Sequence, residues 1–164
     1  LDQLARAAKE KKLAIAPPPP ARPGEGQPLL AEAGLVRVLV EDTVARRELV
    51  PHLELANLGE TVIKPILTEI RVMAARDEEF GYAALSARFA DEKIVRLLGR
   101  IAMQTEPVGD LNYARSCIAS LERDHLLAEC RRIQRRIEAT ADGVVHAELT
   151  AKKFEMSQRI RELS

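Results

Sequence analysis

The chain has 164 residues, with 25 lysines and arginines balanced by 25 aspartates and glutamates. That length allows one domain with a real core, or one domain and an appendage. Zero net charge argues against a dedicated binder of nucleic acid or anionic membrane, which would show a basic excess. Only 3% of residues are aromatic and none is tryptophan, so stacking pockets for nucleotides are not expected. Alanine, leucine, arginine and glutamate dominate, a helical composition.

Residues 1–13, LDQLARAAKEKKL, have a short helical pattern with Asp2 as N-cap. The chain opens in mid-pattern, and the expectation is a fragment of a longer polypeptide. Residues 14–28 hold Pro17 to Pro20, Pro23, Gly24, Gly26 and Pro28. Consecutive prolines favour extended backbone without internal hydrogen bonds, so this segment reads as a semi-rigid linker and domain boundary.

Residues 29–42, LLAEAGLVRVLVED, are densely apolar. Val36, Val38, Leu39 and Val40 would also suit a buried strand. No partner strand follows, so the stretch is read as the central helix of a bundle. Thr43 is expected to cap a short helix over 44–50 that stops before Pro51. Residues 60–77 form a helix with Ile63, Ile66, Leu67, Ile70, Met73 and Ala74 inward, and Pro65 falls within its first turns. A short helix over 81–89 carries Tyr82, Leu85 and Phe89. Asp91 caps a helix over 92–104 that turns Ile94, Leu97, Leu98 and Ile101 inward.

The last third is one long helix from Asp110, a tight turn at Asp142-Gly143, and a helix running back. At about 100° per residue the long helix has two apolar stripes. Leu111, Ala114, Cys117, Ile118 and Leu121 share one side; Leu126, Cys130, Ile133 and Ile137 share another. The switch falls at Glu122-Arg123-Asp124-His125. The first half should therefore pack on the preceding bundle. The second should pack on the returning helix, through Val145, Leu149, Met156, Ile160 and Leu163. The predicted fold class is all-α, with a small multi-helix bundle followed by a long helix and a C-terminal helical hairpin. Its parts are 1–28 (tail and linker), 29–121 (bundle) and 122–164 (hairpin).

Few residues suggest chemistry. His52, His125 and His146 lack metal-ligand spacing, and no phosphate-binding, dinucleotide or nucleophile-elbow motif occurs. Cys117 and Cys130, about 20 Å apart on one helix, read as small core residues of a reducing cytosol. No catalytic residue, metal or cofactor is expected. There is neither a membrane-length apolar run nor a signal-peptide pattern, and a cytoplasmic location is expected.

Two hairpin features remain. The run RRIQRR brings Arg131, Arg132, Arg135 and Arg136. It is either a solvated rim whose stems cover apolar surface or a contact for an acidic partner or a phosphate backbone. Phe154 lies nearly opposite the Leu149–Met156–Ile160 stripe, beside Ala147 and Ala151. Either it anchors a partner or the hairpin folds back and buries it on the bundle.

The order of these parts resembles the C-terminal helicase-binding domain of bacterial DNA primase. A helical bundle leads into AxxCIxxL on a long helix (Ala114, Cys117, Ile118, Leu121), and a charged hairpin ends the chain. The stretch LLAEAGLVRVLVEDTVARREL is similar to that family's opening pair of helices. Residues 60–76 are similar to its third helix, RFADEKIVRLLGRIAM to its fifth, and the proline-rich segment to the tether from the polymerase core. The resemblance covers about residues 29–164. One departure is Gly59-Glu60-Thr61-Val62, where many members carry an aromatic residue and a histidine. Primase zinc and catalytic motifs are also missing from this sequence.

The resemblance implies a non-catalytic domain docked on the N-terminal domains of the hexameric replicative helicase at the replication fork, close to the nucleoid. Direct nucleic-acid or membrane contact is not implied. The partner-binding residues it implies are Arg131, Arg135, Phe154, Arg159, Ile160, Arg161 and Leu163. Two alternatives stay open: the N-terminal domain of the helicase itself, and a self-associating helical hairpin.

Overall fold

The computed structural model describes residues 30–164. The helix expected over 1–13 and the linker over 14–28 lie outside the described residues. Seven α-helices and no strand make up the described part.

Helix α1 (Leu30–Glu41) is the centre of the bundle, and every residue from Glu32 to Val40 is buried. A helix buried all round needs no amphipathic stripe, which is why its sequence also suited a strand. Burying each of its large side chains contributes about 1.5–3 kcal/mol. Around it pack α2 (Thr43–Leu49), α3 (Lys64–Ala75) and α5 (Glu92–Ala102), and the long α6 (Leu111–Ala139) lies along it. The short α4 (Tyr82–Ser86) sits against α3 and α5. One core joins Leu35, Leu39, Ile63, Ile66, Leu67, Ile70, Met73, Leu85, Leu98 and Ile101 with Ala114, Cys117 and Leu121 of α6.

Helix boundaries differ from the sequence reading for identifiable reasons. Asp42, not Thr43, caps α2, and its carboxylate accepts from Val44 N at 2.9 Å and Ala45 N at 3.0 Å. The helix does stop before Pro51, ending at Leu49, and Pro51 enters a 3-10 turn, Val50–His52. A second 3-10 turn, Leu55–Leu58, ends at Gly59, whose φ is +69°. Helix α3 begins at Lys64 rather than 60, because an earlier start would drive the Pro65 ring into the carbonyl of Thr61. It ends in a Schellman motif. Glu78 N donates to Met73 O at 3.1 Å, Asp77 N donates to Ala74 O at 3.3 Å, and Asp77 takes the left-handed position at φ +52°.

Helices α4 and α5 are also shorter than expected. Residues after Ser86 continue as turns, and α5 ends at Ala102. Asp91 caps α5 as expected, accepting from Lys93 N at 2.9 Å.

Two arginines inside the bundle serve the backbone. Arg46 donates to Leu39 O at 2.8 Å and Val40 O at 3.0 Å, the carbonyls left open at the end of α1. Its guanidinium lies 3.8 Å from the centre of the Phe80 ring. Arg37 donates to Glu106 O at 2.8 Å and so ties α1 to the loop before α6. Gly34 lies within the buried run of α1. In the fold it admits Tyr113, since a Cβ there would stand 2.5 Å from the tyrosine hydroxyl.

Candidate docking surface

Helix α6 is 29 residues long, about 43 Å at the usual rise. Asp110 caps it by accepting from Tyr113 N at 2.8 Å. Its first stripe enters the bundle core: Ala114, Cys117 and Leu121 are buried, with Leu111 and Ile118 packed beside them. The buried surroundings push the Cys117 thiol above its ordinary pKa, because the thiolate would lose its hydration.

The bundle does not release α6 at Leu121. His125 packs against Gly59, where a Cβ would stand 2.5 Å from His125 Nδ1. Beyond it a cleft of about 430 Å³ runs between the Leu58–Thr61 loop and Leu121, His125, Ala128 and Arg132 of α6. The two stripes therefore overlap along the helix rather than exchanging at a point.

Asp142 caps α7 (Gly143–Glu162), accepting from Val144 N at 2.8 Å and Val145 N at 3.3 Å. The seam of the hairpin is the second stripe of α6 against the stripe of α7. Ile133 and Leu149 are buried in it. Leu126, Cys130, Ile137, Val145, Met156, Ile160 and Leu163 are half-buried. Two polar contacts cross the seam: Lys153 Nζ donates to Gln134 Oε1 at 2.6 Å, and Arg159 Nη2 lies 4.0 Å from Glu122 Oε2.

The residues expected to hold a partner fall into three places. Ile160 and Leu163 are on the seam side of α7, half-buried, so their apolar surface is spent largely inside the hairpin. Arg159 sits beside the seam and pairs with Glu122 and, at 3.0 Å, with Glu162. Arg131, Arg135, Phe154 and Arg161 are exposed. At about 100° per residue, Phe154 and Arg161 lie on the outer face of α7, while Arg131 and Arg135 lie on the side of α6 turned from α7. These three arginines have no ion-pair partner among the described residues, whereas Arg132 pairs with Glu129 at 2.9 Å.

Phe154 is 57% exposed. The hairpin does not fold back to cover it. Ala147 and Ala151 are exposed two turns and one turn before it, so a neighbouring helix could approach closely there. Val144, 70% exposed at the hairpin tip, adds apolar surface that the sequence reading passed over. Its signal was a valine directly after the Asp-Gly start of a helix, outside the stripe.

No group of three or more His, Cys, Asp or Glu able to hold a metal occurs among the described residues. No described helix is long and apolar enough to cross a membrane. Compared with known proteins, the chain matches no family model, no curated protein and no solved structure.

Proposed function

We propose that this chain is a non-catalytic docking domain of a bacterial DNA primase, which holds the N-terminal domains of the hexameric replicative helicase through the outer face of its hairpin. The parent polypeptide would be the enzyme; this part would tether primer synthesis to the fork and modulate the helicase. The observation that carries the reading is the exposed Phe154 on a rigid α7, flanked by small residues and with Arg161 two turns on. An exposed aromatic with a charged neighbour is the usual form of an interface anchor. The bundle-plus-hairpin layout and the proline-rich segment before it give further support.

The seam geometry bears on the self-association alternative. A dimer through Leu149–Leu163 would have to open the hairpin, because that stripe already faces α6. The test is titration of the full chain against the cognate hexameric helicase, beside a Phe154→Asp variant. The reading requires saturable binding that the variant loses while its helicity stays unchanged.

A further inference from the structure

The bundle carries a second open site, formed by elements that make no part of the hairpin. Helix α2, the first 3-10 turn and the end of α3 enclose a cleft of about 430 Å³, within the usual size of small-ligand sites. Its floor is apolar, from Val50, Ala74 and Phe80, and its rim holds Arg46, Arg47 and Arg71. Arg46 is committed to the carbonyls of α1 and to the face of Phe80. Arg47 and Arg71 are exposed and have no ion-pair partner among the described residues.

Neither acid at the rim pairs with Arg47 or Arg71 among the described residues. Glu78 is taken by Arg88 and, at 3.7 Å, by Arg76. Asp77 forms no ion pair among the described residues. The positive charge is also felt within the cleft: after burial, the neighbouring Arg47 is the next cause holding Arg46 below its ordinary pKa.

We propose that this cleft binds a nucleoside monophosphate, with the phosphate between Arg47 and Arg71 and the base on the apolar floor formed by Val50 and Ala74. Guanidinium forks match phosphate oxygens two at a time. A lone inorganic anion would leave the apolar floor wet, and a plain apolar ligand would leave both arginines unanswered. The Asp77 carboxylate, which also lines the cleft, is an acceptor for ribose hydroxyls.

The experiment is an NMR titration of the full chain with the four common ribonucleoside 5′-monophosphates, and with adenosine and inorganic phosphate separately. The expected result is saturable shifts confined to residues 43–51 and 71–80 for at least one monophosphate, about tenfold tighter than for either fragment. Arg47→Glu and Arg71→Glu, both at exposed positions, should each weaken it by about tenfold, with Phe154 and the hairpin resonances unmoved. The proposal is overturned if no monophosphate saturates the cleft. It is equally overturned if adenosine or phosphate alone binds as tightly, or if the folded Arg47→Glu, Arg71→Glu double variant binds like the parent.

Discussion

Lys153 Nζ reaches across the hairpin to Gln134 Oε1 at 2.6 Å, and this contact helps set the rotation of α7. The next residue, Phe154, is turned by about 100° and left 57% exposed. Rotation of α7 is further held by Leu149 and Ile133 in the seam and by Arg159 beside Glu122. The exposed aromatic is thus a product of how the hairpin closes, and it stands on a face that the rest of the chain does not cover.

Truncating it should separate folding from binding. Phe154→Ala removes a side chain with little buried surface, so thermal stability should change by less than about 0.5 kcal/mol. An interface anchor of this kind is worth about 2 kcal/mol, so affinity for the helicase should fall roughly thirtyfold. Parallel denaturation and binding isotherms check both halves.

Substitutions in the seam should act differently. Leu149→Ala empties a buried site and should cost about 2 to 3 kcal/mol, felt in the hairpin before the bundle. Ile160→Asp with Leu163→Asp should weaken partner binding by opening the last turns of α7. Hydrogen exchange should show faster amide exchange over residues 150–163, with the α1 amides unchanged. Slow exchange across α7 in that variant would mean that the two residues contribute nothing to the seam.

Gly59 tests the join between bundle and hairpin. Its φ of +69° and the closeness of His125 make any side chain there costly. Gly59→Ala should destabilise the domain by about 1 to 3 kcal/mol. Adding His125→Ala should recover the part due to the clash but not the part due to the backbone. A double-mutant cycle measures that split.

These residues also show what could be read in advance. The inward faces of α3 and α5 followed from periodicity because each packs on one side only, and the two stripes of α6 followed because its halves pack on different elements. The overlap of the two α6 stripes did not, because it depends on a positive φ at Gly59 that lets a distant loop meet His125. Arg37 and Arg46 went unnoticed for a similar reason. Charged residues default to the surface, and these two are drawn inward by backbone carbonyls from residues remote in sequence or at a helix end. Helix starts shifted wherever a single atom decides the cap, as with Asp42 and Pro65. The exposure of Phe154 was open in the sequence, because a fold-back would have satisfied the same pattern.

Alkaline pH gives an independent check on the bundle. The Tyr82 hydroxyl is pushed well above its ordinary pKa by burial, then by its 2.8 Å hydrogen bond to Glu41 and that carboxylate's charge. Because the folded value lies above the unfolded one, the folded state holds the proton more tightly. The associated stability is complete below the unfolded value of about 10 and is lost as pH rises above it. Between about pH 9 and 11, the parent should therefore lose more stability than Tyr82→Phe. An equal loss of unfolding free energy in the two proteins, read from urea titrations at the two pH values, would contradict this environment for Tyr82.

The most direct test of the docking proposal is sedimentation velocity of the full chain mixed with the cognate hexameric replicative helicase, run beside Phe154→Asp. The account predicts a saturable complex for the parent and free sedimentation for the variant, with identical circular dichroism for both chains. Failure of the parent to bind would contradict the helicase reading. Undiminished binding by the variant would contradict the placement of the anchor on the outer face of α7.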